Sequence, residues 1–134
     1  MQIHQSAEDY LETILMLNQR MGRVRSIDVV NELGYTKASV SIAMKKLREN
    51  GYIAVDGEGN LTLLEPGREI AERIYSRHRL LTHFFVQLGV DEEVAAEDAC
   101  KAEHILSEQT LEKIREYALL HDCLLYTSDA ADEL

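Results

Sequence analysis

Thr36-Lys37-Ala38-Ser39-Val40-Ser41-Ile42-Ala43-Met44-Lys45-Lys46-Leu47-Arg48-Glu49-Asn50-Gly51 runs directly into Tyr52-Ile53-Ala54-Val55, then Asp56-Gly57-Glu58-Gly59-Asn60, then Leu61-Thr62-Leu63-Leu64. In the first part Val40, Met44 and Leu47 recur at the spacing of a helix with one buried face. Thr36 can cap that helix and Asn50-Gly51 stops it. The second part alternates around a glycine turn, which predicts two short strands paired as a hairpin. Upstream, Ser26 caps a short helix from Ile27 to about Leu33, closed by Gly34. Two short helices joined by a tight turn, the second leading into a hairpin, form the layout of a winged helix-turn-helix.

Working outward, Ser6-Ala7-Glu8-Asp9 reads as a capping box opening a first helix, with Tyr10, Ile14 and Leu17 as its buried stripe. Pro66 starts a long fourth helix that carries Ile70, Ile74, His78, Leu81 and Phe85 on one face and ends at Gly89. A fifth helix is predicted from Asp91-Glu92-Glu93 to about Leu106, and Ser107-Glu108-Gln109-Thr110 opens a sixth. No internal repeat is visible. The fold class is mainly α: an N-terminal winged helix-turn-helix (1–64) followed by a helical domain (65–122).

The chain has 134 residues, 46% of them hydrophobic, with one proline and seven glycines, as expected of a globular, mostly helical protein. No run of about 18 apolar residues is present, so no membrane span is expected. Met1-Gln2-Ile3-His4-Gln5 lacks the basic and apolar parts of a signal peptide, and two cysteines make no disulfide framework; a cytoplasmic protein is expected. The net charge of −10 is unevenly spread. Residues 1–64 carry seven Lys/Arg against eight Asp/Glu; residues 65–134 carry seven against sixteen. An acidic total opposes nucleic-acid binding, which draws affinity from phosphate neutralisation. Lys37, Lys45, Lys46 and Arg48 nevertheless fall within twelve residues that hold no acid, and the local field outweighs the total.

On the third helix Lys37, Ser41, Lys45 and Arg48 follow one another at helical spacing, away from Val40, Met44 and Leu47. Small residues Ala38, Ser39 and Ser41 let the backbone approach a major groove, and Thr36 stands at the helix entry. Lys45, Lys46 and Arg48 are placed to hold phosphates. A charged helix face is often simply solvated; it is the whole helix–turn–helix–hairpin pattern that favours double-stranded DNA. Asp56 and Glu58 at the wing tip are poor partners for phosphate, so little contact is expected there.

Cys100-Lys101-Ala102-Glu103-His104 places a thiol, a carboxylate and an imidazole at i, i+3 and i+4, on one helical face. Asp9 and Glu12 share a face of the first helix, and His78 stands between the two segments in sequence. These are the side chains that hold first-row divalent metals. Each has an ordinary alternative: Asp9 as the last residue of a capping box, Glu12 as an exposed acid, His78 as a hydrogen-bonded core histidine, Cys100 as a small buried hydrophobe, and Glu103-His104 as surface. Agreement of residue type and spacing across three helices is what points to a metal. A cation joining such distant segments would work as a switch.

Glu8-Asp9-Tyr10-Leu11-Glu12, Ser39-Val40 with Asn50-Gly51-Tyr52-Ile53, Arg77-His78-Arg79-Leu80-Leu81, Gly89-Val90-Asp91-Glu92 and Glu103-His104-Ile105-Leu106-Ser107 resemble the diphtheria-toxin repressor and manganese-transport regulator family of metal-dependent bacterial repressors. The resemblance runs from Ser6 to His121. It implies a winged helix followed by a helical dimerisation domain with metal between them, and it makes Asp9, Glu12, His78, Cys100, Glu103 and His104 the ligands. At two of these the chain is a hybrid. Asp9 is similar to the manganese regulators, where iron-type members have methionine, and Cys100 is similar to the iron type, where manganese regulators have glutamate. The implied effector is Fe²⁺ or Mn²⁺, with Zn²⁺ also compatible with a thiolate. Thr82 and Ala96 stand where iron-type members carry ancillary ligands and suit no such role, whereas a paired-metal arrangement sharing Glu12 and Glu103 stays open.

The resemblance thus implies a homodimeric, metal-dependent repressor controlling metal homeostasis. The alternative is a metal-independent winged-helix regulator. An enzyme is not expected, because no phosphate loop or hydrolase elbow occurs and only one adjacent acid–histidine pair is present. Leu80, Leu81, Phe84, Phe85 and Leu88 are too many apolar residues for one face of a small domain, so a dimer seam is expected among them. Residues 123–134, including Cys123, resemble no part of the family and read as the translation of a sequencing adapter, a non-native tail, with an ordinary disordered terminus as the alternative that their small and acidic residues also permit.

Overall fold

The computed structural model describes residues 5–122; the expectations about Cys123 and the tail lie outside them. Among the described residues the order is α1 (Gln5–Met21), α2 (Ser26–Leu33), α3 (Lys37–Glu49), β1 (Ile53–Val55), β2 (Leu61–Leu63), α4 (Glu65–Gln87), α5 (Glu92–Ala102) and α6 (Glu108–Asp122). Two compact units divide between Arg73 and Ile74, inside α4.

In the first unit, α1 buries Leu11, Ile14, Leu15 and Leu17, and the same core takes Val29 of α2 and Val40, Met44 and Leu47 of α3. Helix α2 ends as its sequence requires: Gly34 adopts φ 72°, and its N–H donates to the Val30 carbonyl at 2.8 Å. At the start of α3 the Thr36 hydroxyl accepts from the Ser39 N–H at 3.1 Å. The strands pair antiparallel, Ile53 with Leu63 and Val55 with Leu61, and their apolar side faces the core. Arg25 adds a bridge to Asn60, and the Leu61 N–H donates to Val24 O at 2.7 Å, so the wing is anchored by the segment before α2.

In the second unit Leu80 and Leu81 of α4, Ala99 of α5, and Leu111 and Ala118 of α6 form one core, flanked by Phe85, Ala102, Leu106 and Ile114. Ser107 opens α6, its hydroxyl accepting from the Thr110 N–H at 3.1 Å.

Four expectations are corrected. Ser6 lies inside α1, so it does not cap that helix, and Asp9 is not the last residue of a capping box. Arg25 rather than Ser26 is the N-cap of α2, its N–H held by the Asp28 carboxylate at 2.9 Å. Helix α5 stops at Ala102 instead of Leu106, because the chain tightens through Ile105 N–H to Ala102 O, 3.1 Å, to release Ser107 as the next cap. Leu80 and Leu81 are 1% and 0% exposed within the subunit's own core, which removes them from any seam. Phe84 and Phe85 stay half-buried and Leu88 is 61% exposed.

Gly67, in the first turn of α4, is packed against the backbone at Tyr52, and a Cβ there would overlap the Tyr52 carbonyl. Gly67→Ala is expected to destabilise the protein by about 1–3 kcal/mol, as overpacking does. Thermal unfolding checks it; an unchanged midpoint would show that the contact yields.

Candidate metal centre and nucleic-acid interface

Helix α4 carries His78 and Arg77 into the second unit, and α5 ends beside them. Glu103 is the residue that caps α5, with φ −60° and ψ −23°, so it keeps the helical course set by Cys100 although it lies past the last helical residue. Its side chain is fully buried. One carboxylate oxygen receives the His78 Nδ1 at 3.0 Å, and the other faces His104 Nε2 at 3.4 Å. Arg77 donates to the Glu103 carbonyl at 3.2 Å and pairs with Glu108 at the start of α6. Burying a carboxylate is costly unless it is paired and hydrogen-bonded, and here only the oxygen facing His78 is hydrogen-bonded; the other has no hydrogen-bond partner among the described residues.

His78, Cys100 and Glu103 each offer one donor atom, and the three atoms lie within 4.8 Å of one another. Cys100 is exposed, so it is no small core hydrophobe. The His104 side chain is 2% exposed. A nitrogen, a sulfur and a carboxylate oxygen this close, with Glu103 out of solvent, fit a first-row divalent cation. In the first unit Asp9 is half-buried and Glu12 is 5% exposed, both on α1. Glu12 is therefore not an ordinary exposed acid. Thr82 is half-buried with a hydroxyl that lacks a hydrogen-bond partner among the described residues, and Ala96 contributes no donor.

The DNA-facing candidates are all exposed: Thr36, Lys37, Ser39, Ser41, Lys45, Lys46 and Arg48. Sequence reasoning missed Arg23 and Arg25. Both stand beside the wing, where Arg23 reaches Glu58 at 3.9 Å and Arg25 lies against Gly59. The alternation Arg23-Val24-Arg25, with Val24 wholly buried, was the available signal. At the tip, the Asn60 side-chain amide first, then backbone N–H groups of Asn60, Glu58 and Gly59, hold the Asp56 carboxyl below the usual carboxylate range against a smaller opposing effect of desolvation.

Residues 2–61 match the family described as iron dependent repressor, N-terminal DNA binding domain, and residues 64–121 match iron dependent repressor, metal binding and dimerisation domain. An uncharacterized HTH-type transcriptional regulator of Methanocaldococcus jannaschii is 36% identical over 113 residues, covering 83% of this chain and 90% of the relative. The chain belongs to the iron dependent repressor family. The HTH-type transcriptional regulator MntR of Lysinibacillus sphaericus is 34% identical over 109 residues, 81% of this chain and 78% of that protein. A manganese-dependent transcriptional repressor in complex with manganese superposes with a TM-score of 0.77 at 28% identity, covering 84% of this chain and 52% of the other. IdeR of T. acidophilum shares the fold, with a TM-score of 0.76 at 23% identity over 87% of this chain and 55% of its own. The chain thus spans about half the length of these two solved structures. The family is one of metal-responsive transcriptional repressors, with a DNA-binding domain preceding a metal-binding and dimerisation domain. Among the described residues no helix is long and apolar enough to cross a membrane.

Two expectations follow from the site. With Cys100 as a ligand, Co²⁺ titration is expected to give a thiolate-to-metal charge-transfer absorption that Cys100→Ser abolishes; an unchanged spectrum would remove Cys100 from the ligand set. A folded-state pKa below the unfolded one makes the Asp56 contribution to the wing fully present above the ordinary carboxylate range. It is lost as pH falls through that range to the lower folded value. An NMR titration of the Asp56 carboxyl checks this, and a midpoint at or above the ordinary value would contradict it.

Proposed function

We propose that this protein is a cytoplasmic, homodimeric repressor that binds operator DNA in response to Fe²⁺ or Mn²⁺, with Zn²⁺ as a further effector, and so controls metal homeostasis. Asp9 and Glu12 of the first unit and His78, Cys100, Glu103 and His104 of the second are its ligands. The observation that carries the reading is the mutual approach of the His78, Cys100 and Glu103 donor atoms around a buried carboxylate. Membership of a family whose second domain is described as metal binding and dimerisation supports it.

A bound divalent cation supplies positive charge that offsets repulsion among the carboxylates and the thiolate. Asp9 and Glu12 project from the unit that reads DNA, whereas Cys100, Glu103 and His104 project from the unit that dimerises. A cation held by residues of both units would tie reader to dimer and favour a spacing of the two recognition helices near 34 Å, one turn of DNA. Thr36, Lys37, Ser39, Ser41, Lys45, Lys46 and Arg48 then meet the duplex, mainly at phosphates. Phe84, Phe85 and Leu88 remain as the α4 contribution to the dimer seam.

The experiment is fluorescence anisotropy under anaerobic conditions, using a duplex selected from a random pool by the metal-loaded protein. Mn²⁺ or Fe²⁺ is expected to raise affinity roughly 5- to 150-fold, the range of typical allosteric coupling. EDTA reverses the gain and Glu103→Ala never shows it. Equal affinity at all metal levels would establish the metal-independent alternative. Loss of helical circular dichroism on metal removal would make the ion structural.

A further inference from the structure

Ile42 lies on the recognition helix and is 58% exposed, a large apolar side chain turned outward among polar neighbours. At 3.6 residues per turn, Ala38, Ile42, Lys45 and Glu49 form the row directly opposite buried Val40, Met44 and Leu47. Ile42 is central in that row. Lys37, Ser41 and Arg48 flank it on one side, and Ser39 and Lys46 on the other, all exposed. Cations on both flanks suit the two phosphate backbones that border a major groove, and the row between them faces the base edges. Glu49 ends the row at the helix C-terminus, away from the N-terminal part that enters the groove.

The side chains of that row near the helix N-terminus are apolar. Ala38 and Ile42 offer no donor or acceptor to a base edge. The one apolar group displayed in the major groove is the thymine 5-methyl. We infer that Ile42, with Ala38 beside it, is a specificity-determining contact that selects thymine by its methyl group, while Lys37, Lys46 and Arg48 on the flanks set affinity through phosphates. This rests on the DNA-binding reading above and adds what that reading leaves open, the base preference. Ile42 also borders a shallow depression with Ala7, Tyr10 and Ala43, so the test must separate DNA from a protein occupant.

The full-length, metal-loaded protein is measured against its pool-selected duplex and against copies in which single thymines are replaced by deoxyuridine, which removes only the methyl. Wild type is expected to lose about four-fold in affinity per methyl read, the worth of one buried CH₂ group, at positions related by the half-site symmetry. Ile42→Ala, at an exposed site where alanine favours helix, is expected to lose most of the discrimination between thymine and uracil duplexes. Its salt dependence stays that of wild type, because the phosphate contacts remain. Thymine and uracil bound equally by wild type would overturn the inference and leave Ile42 to a protein partner. So would the same methyl dependence persisting in Ile42→Ala. Failure to bind any duplex would overturn the DNA-binding reading with it.

Discussion

A carboxylate wholly removed from water must be compensated, and Glu103 sets that demand at the end of α5. Part of the answer comes from groups fixed by packing, and one carboxylate oxygen keeps no hydrogen-bond partner among the described residues. His78 leaves α4 two and three residues before Leu80 and Leu81, which are locked in the core of the second unit. Glu103 leaves α5 four residues after Ala99, which shares that core. Arg77 holds the Glu103 carbonyl and pairs with Glu108, so the start of α6 is tied to the same point. One core therefore positions the donors, and a change in how α4, α5 and α6 pack would be felt at the carboxylate. Hydrophobic packing here is the means by which polar chemistry is held still.

The first unit solves a different electrostatic problem. The protein is acidic overall, at −10, yet must present a surface that phosphates accept. It does so by placing its cations on the exposed faces of α3, while Val40, Met44 and Leu47 fix that helix from behind. Arg23 and Arg25 extend positive charge to the side of the wing, and the acids at the tip are occupied locally, Asp56 by its own turn and Glu58 by Arg23. Positive charge in the first unit is thus gathered on the exposed faces of α3 and beside the wing. Surface pairs such as Arg23–Glu58 contribute little to stability; their effect is on the field.

The winged helix was legible because its signals are local: an apolar period, a capping threonine, Gly34, and alternation around a glycine turn. The donor types at His78, Cys100 and Glu103 were legible for the same reason. What escaped was decided by tertiary context. Nothing near Ala102 says that α5 stops there; Ser107, which opens the next helix, imposes it. Ser6-x-x-Asp9 has the letters of a capping box, but the helix is already under way at Gln5. Leu80 and Leu81 look like seam residues on a long helix because sequence does not distinguish a subunit's own core from its partner's. Arg25 joins the wing through a bridge to Asn60, thirty-five residues on, a pairing that no local pattern announces.

The most direct test of the central claim is thermal unfolding of wild type and Glu103→Gln, each with and without Mn²⁺, Fe²⁺ or Zn²⁺. Glutamine keeps the shape and removes the negative charge that a bound cation would neutralise. The account predicts a folded apo variant that has lost the stabilisation by metal, about 2.7 kcal/mol for wild type at a hundred-fold excess over the dissociation constant. A variant that unfolds without metal, yet is stabilised by metal as much as wild type, would contradict it.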